Sequence, residues 1–198
     1  MNARLREIAK VNMGLVVSRL LKGGGSNCDG VQYKYFTLSS VERDQSIDKE
    51  KLKCIETSSC VDEKFISRQG DIIIGISAPH SLAYVDEASQ GIIIPSQFAV
   101  IRAVDERVAP EYLIAYLTSD ELKGVIANMA KGEWWIKTID LGGLMDLPVK
   151  IPKMQEQRQI SRLNELIKEE SALNYQYARL VEKKNNYYLN KLIKNGGE

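Results

Sequence analysis

Few side chains in this sequence are of the kinds that make and break bonds. His80 is the only histidine, and it sits in the turn-forming run Ala78-Pro79-His80-Ser81. A Ser/His/Asp or Cys/His relay would have to be built on that one turn residue, and no nucleophile motif accompanies it. The three cysteines, Cys28, Cys54 and Cys60, form no CxxC pair. With a single histidine beside them they lack the donor set of a zinc site. Asp105 with Glu121-x-Lys123 has the residue types of a metal-dependent nuclease. Such sites place the Glu-x-Lys on a strand, however, and here it begins an amphipathic helix. There is no Pro-Pro pair and hence no Asn-Pro-Pro-Tyr element of amino-methyltransferases. Gly23-Gly24-Gly25 carries no GKS/GKT and opens no GxGxxG helix, so it reads as a loop and not a phosphate cradle. No catalytic residue, metal ligand or cofactor site is expected on this chain.

The chemistry that remains is binding. Trp134 and Trp135 are the only tryptophans, adjacent and flanked by Lys131 and Lys137. Aromatics interleaved with lysines suit stacking and phosphate contact, although a tryptophan in this position also serves as core. The expected DNA face comprises this loop, the turn Ser77 to His80, and Lys34 with Arg43 on the early segment. Charge is segregated: residues 1–34 carry net +4, residues 35–149 net −7 and residues 150–198 net +4, for +1 overall. The plain reading is solvated surface. The functional one is a basic face built from the two ends, with acidic surface turned away from a polyanion.

The elements that must position these residues follow from pattern. At 198 residues, 44% of them hydrophobic, the chain can bury a real core. No apolar run approaches the roughly 20 residues of a membrane span. Met1 to Lys10 is charged and lacks a signal-peptide apolar stretch, so a cytoplasmic protein with reduced thiols is expected. Val31 to Leu38 alternates, with Gln32, Lys34, Phe36 and Leu38 on one face of a strand. Ser39 to Lys53 reads as a long exposed excursion. Ile72–Ile76, Leu82–Val85, Gly91–Pro95 and Phe98–Ile101 read as short strands in a curled, mostly antiparallel sheet. Pro110 starts a helix through Leu117, and Ser119 caps another that stops near Gly132.

Pro148 and Pro152 alternate with Val149 and Ile151, which makes extended chain. After Pro152 there is no proline or glycine until Gly196. From Gln155 to Leu192, about 38 residues, or roughly 57 Å of helix, carry two seven-residue series. One is Leu166, Leu173, Leu180, Tyr187. The other is Ile160, Ile167, Asn174, Val181, Tyr188. With Leu163 and Tyr177 they make an apolar stripe wider than a two-position seam, which needs a partner helix. The fold class expected is α+β. A domain over 1–152 with a curled antiparallel sheet and short helices is followed by one coiled-coil-type helix over 153–193 and a flexible tail, 194–198.

Taken in order, several of these residues carry a family resemblance. Gly70-Asp71-Ile72-Ile73, Pro95-Ser96-Gln97-Phe98, Ala109-Pro110-Glu111-Tyr112-Leu113 with Tyr116-Leu117, Gly132, Leu144 to Pro152 and Gln155-Glu156-Gln157 with Ile160 resemble the DNA specificity subunits of type I restriction–modification systems. The resemblance covers residues 65 to 192. It implies a target recognition domain followed by a long conserved helix, and a non-catalytic subunit that reads a half-site on double-stranded DNA. It also implies partners: a methyltransferase subunit, which would carry the S-adenosylmethionine, and a restriction subunit. The usual Pro-Leu-Pro-Pro-Leu is here Leu-Pro-Val-Lys-Ile-Pro-Lys-Met. Family members carry two domains and two antiparallel helices, whereas this chain has one of each. A homodimer through the helix is therefore expected, with Leu173 and Leu180 toward its middle and Asn174 pairing with its neighbour to fix the register. The alternative from another class is a protein-interaction module whose helix binds a partner and whose domain reads no DNA.

Overall fold

The computed structural model describes residues 1–21, 31–42, 44–57, 60–77, 81–131 and 138–195, with the side chains of residues 19, 21, 130, 131 and 195 left aside. The chain divides into two compact units, Met1–Ser161 and Arg162–Glu198. The first is built around a four-stranded antiparallel sheet in the order β2 (Ala9–Met13), β7 (Phe98–Ala103), β5 (Ile72–Gly75), β6 (Leu82–Tyr84). The β-branched run Ile72-Ile73-Ile74 explains why β5 is central. Strand side chains alternate between faces, and here both faces are covered. Ile72, Ile74, Ala99 and Ile101 point to one core, while Ile73, Phe98 and Val100 point to a second. Every residue of β5 is buried.

The first core is roofed by helices. These are α1 (Leu5–Ile8), α3 (Pro110–Leu117), α4 (Asp120–Met129) and α5 (Leu141–Met145). Pro110 stands in the first turn of α3, as expected from its fixed φ and missing N–H. The Ser119 Oγ accepts from the Leu122 N–H at 3.4 Å at the start of α4. α4 ends at Met129, and β8 (Ala130–Lys131) pairs directly with β9 (Thr138–Ile139). Past the short α2 (Ser18–Leu21), a separate hairpin of β3 (Val31–Tyr35) and β4 (Lys53–Thr57) covers a third, smaller core of Ile55, Val61 and Ile93.

Three expectations need correction. Phe36 does not share a face with Lys34: β3 ends at Tyr35, and Phe36 turns into the second core against Phe98. Gly91–Pro95 is not a ladder strand. It crosses the body as a buried arch, held by single bridges of Ile93 to Tyr35 and Ile66 and of Pro95 to Leu15. Backbones pass so closely there that a Cβ on Gly14 would lie 2.1 Å from the Pro95 carbonyl oxygen. The 39–53 excursion is not simply exposed. It folds into two 3-10 turns, Leu38–Ser40 and Lys49–Lys51, with Ser40 buried and Val41, Ile47 and Leu52 packed on the second core.

The chain start returns to the end of the body. β1 (Asn2–Arg4) pairs antiparallel with β10 (Pro148–Lys150), the proline-spaced extended segment. α6 (Met154–Asn195) follows at once and runs for 42 residues.

Candidate nucleic-acid interface

The described residues flanking two of the expected DNA-reading segments meet at one edge of the body. β5 ends at Gly75, and Ile76 and Ser77 continue toward the 78–80 turn. The Ile139 N–H donates to the Ile76 carbonyl at 2.9 Å, and Ser77 bridges Thr138 antiparallel. Ile76 and Ser77, which lead into the expected turn, are therefore joined by backbone to Thr138 and Ile139, which follow the expected loop. Ser77 is exposed there, and Lys131 ends β8 opposite Thr138. His80, Trp134, Trp135 and Lys137 lie outside the described residues, as does Arg43.

Lys34 is exposed on β3, opposite Cys54. Its outward face also carries Gln32 opposite Glu56, so the described hairpin face is close to neutral. No bridge or hydrogen bond links Lys34 to the Ser77 edge among the described residues. The two ends of the body do meet, through β1 and β10, but not as bare positive charge. Arg4 and Arg6 both pair with Asp146, at 3.2 and 2.5 Å.

The motif residues turn out to hold the platform together. Gly70 has φ +86°, a conformation favoured by glycine, and delivers Asp71 into the body. Asp71 is 1% exposed. Its carboxylate accepts from Arg102 Nε and Nη2, both at 2.7 Å, and from the Arg68 N–H. That carboxylate beside the guanidinium raises the Arg102 pKa. Tyr112 and Tyr116 on α3 donate to the carbonyls of Lys150 and Pro148, at 2.6 and 3.1 Å, and so tie α3 to β10. Burial pushes the Tyr112 phenol up to about 12. Gln157 is fully buried in the first turn of α6. Its Nε2 donates to the carbonyls of Arg107 and Pro152, and its Oε1 accepts from the Ala109 N–H. The loop that receives it is itself braced, because Arg107 holds the Asp105 carboxyl down to about 2 through a side-chain hydrogen bond. The sequence named these positions; their anchoring role needed the long-range partners.

Asp105 is thus occupied by Arg107, and Lys123 pairs with Asp120 on α4, so the nuclease-like set is not assembled. No cluster able to hold a metal exists among the described residues.

The described part of the second unit, residues 162–195, is helix, and the stripe along α6 is bare. Leu163, Leu166, Ile167, Leu173, Tyr177, Leu180, Tyr187 and Tyr188 are all exposed, as is Asn174, while Ile160 and Val181 lie just past the half-buried range. Tyr175, Leu189, Leu192 and Ile193 are exposed apolar residues that the two seven-residue series did not include. No described helix is long and apolar enough to cross a membrane.

No family model matches the chain, and no curated protein matches it. Solved structures do. A structure described as the basis of assembly and conformational transition of the type I restriction–modification system matches with a TM-score of 0.66 and 18% identity, over 95% of this chain and 43% of that one. The HsdS subunit from Thermoanaerobacter tengcongensis matches at 0.64 and 20% identity, over 96% and 46%. The S subunit of the type I system from M. genitalium matches at 0.57 and 15% identity, over 97% and 45%. The chain spans less than half the length of these proteins. The resemblance drawn from motifs over residues 65 to 192 holds as a likeness of fold, and the likeness extends to the early segment. Over nearly its whole length, this chain has the fold of about half of a type I restriction–modification specificity subunit.

Proposed function

We propose that this chain is a non-catalytic DNA specificity subunit that reads one half-site and scaffolds a methyltransferase subunit, with or without a restriction subunit. In this reading the body presents the 78–80 and 132–137 loops to the grooves, and α6 pairs with a second copy. The observation that carries it is the joint occurrence of the specificity-subunit fold, the backbone bridge that brings Ser77 beside Thr138, and a long helix with an unpartnered apolar stripe. Loops on a rigid sheet suit base readout, because phosphate contacts position the protein while loop side chains specify sequence.

Two copies related by a two-fold read identical half-sites in inverted order. Selection of bound DNA from a random pool, with the cognate methyltransferase subunit present, is therefore expected to return an interrupted palindrome. The chain alone, with S-adenosylmethionine and magnesium, transfers no methyl group and cuts no DNA. Recovery of unrelated sequences, with no salt dependence of binding, overturns the reading. It would leave an interaction module, which the near-neutral face around Lys34 favours.

A further inference from the structure

The stripe on α6 has a column down its middle. Leu163, Glu170, Tyr177 and Lys184 each lie three residues before one seven-residue series and four before the other, so on a helix they sit between the two. Two of the four are charged and of opposite sign. All four are exposed, and among the described residues neither Glu170 nor Lys184 has an ion-pair partner. An unpaired charge is costly in the middle of an apolar seam, whereas a paired one fixes alignment.

Two copies of this helix placed antiparallel bring column against column only in steps of seven residues. One alignment sets Glu170 against Glu170 of the partner subunit. The next sets Glu170 against Tyr177 of the partner subunit, which leaves Lys184 facing the partner's Leu163. The next sets Glu170 against Lys184 of the partner subunit, and by symmetry Lys184 against the partner's Glu170. Tyr177 then meets Tyr177 of the partner subunit at the two-fold. Leu173 faces the partner's Val181, Leu166 the partner's Tyr188 and Ile167 the partner's Tyr187. A step beyond that carries Leu166 to the last residue of the other helix, Asn195 of the partner subunit. Of these alignments only the one that opposes Glu170 and Lys184 keeps the apolar contacts and sets the two charges against each other in both directions; Lys191, the next position of the column, then lies opposite Leu163 of the partner subunit near the helix end.

We propose that α6 pairs antiparallel with a second copy of itself in the register that opposes Glu170 and Lys184 of the partner subunit, with Tyr177 on the dyad. This rests on the self-pairing in the proposed function and specifies its alignment. It replaces the register centred on Asn174, in which Leu166 would face Glu182 of the partner subunit and Leu180 the partner's Lys168. Here Asn174 faces Leu180 of the partner subunit, and the two copies of Asn174 lie six residues, about 9 Å, apart along the axis.

Sedimentation of the full chain at tens of micromolar tests both layers. Wild type is expected to be a dimer. Glu170→Lys alone puts two like-charge contacts in the seam, as does Lys184→Glu alone, and each weakens dimerisation by at least about tenfold. Mixed one to one, the two variants pair with each other, because both contacts become Lys against Glu again. The double variant in one chain also self-pairs. Circular dichroism confirms helix in every sample. In oxidising buffer, Tyr177→Cys cross-links to itself, identified as a 177–177 peptide; Asn174→Cys does not. A monomeric wild type overturns the self-pairing reading and this proposal with it. A dimeric wild type whose variants neither weaken nor complement, or which cross-links at 174 and not at 177, overturns the register alone.

Discussion

The buried pair of Asp71 and Arg102 is the clearest case of a single contact holding the platform. Asp71 satisfies three donors at the entry to the central strand. Removing one member of such a pair leaves the other desolvated without its partner. Asp71→Ala is expected to destabilise the body by about 3 kcal/mol, read from denaturant midpoints. Asp71→Leu combined with Arg102→Met should cost less than the sum of the single changes, because no charge is then left alone. Tyr112 adds a pH signature. Its phenol is raised from 10.0 to about 12 by burial, so the neutral form is favoured in the folded state. That stability is complete below pH 10 and is lost as pH rises through 12. Chemical denaturation between pH 9 and 12 should show the decline in wild type and a flatter limb in Tyr112→Phe.

At the scale of elements, the body and the helix make separable predictions. Lys131→Ala with Lys137→Ala is expected to weaken DNA binding and to flatten the salt slope by about two units. An unchanged slope takes the 131–137 loop off the list of phosphate contacts. Leu173→Glu with Leu180→Glu is expected to give a monomer that keeps its fold, since both side chains are at least 64% exposed in the single chain and support nothing within it. Light scattering reads this directly. What was legible in the sequence divides along the same line. The helices α3, α4 and α6 and the central strand announced themselves, because period 3.6 and a β-branched run are local signals, whereas the short α2 and α5 were not read. Phe36 misled because alternation was read on to Leu38, three residues past the end of β3 at Tyr35, where tertiary packing with Phe98 took over. The arch of Ile92 to Ile94 looked like a ladder strand because burial selects the same residues whether or not the backbone finds a continuous neighbour. In the candidate interface, residues 78–80 and 132–137, expected to form the turn and the loop, lie outside the described ones. The bridge between Ser77 and Thr138 was not legible, because it spans some sixty residues of sequence.

For the whole molecule, the decisive feature is the way α6 is rooted. Its first turn is fixed by the three hydrogen bonds of Gln157, and the strand just before it, β10, is held by β1 and by the hydroxyls of Tyr112 and Tyr116. Consider mechanical load. A pull on the far end of the helix enters the body through a single covalent path, from Met154 through Pro152 to β10. The Gln157 contacts come first in series, then the three-residue ladder to β1, and only after those the four-stranded sheet. The root therefore behaves as a fuse. Strain arriving along the helix meets these few hydrogen bonds at its foot before it reaches the four-stranded sheet.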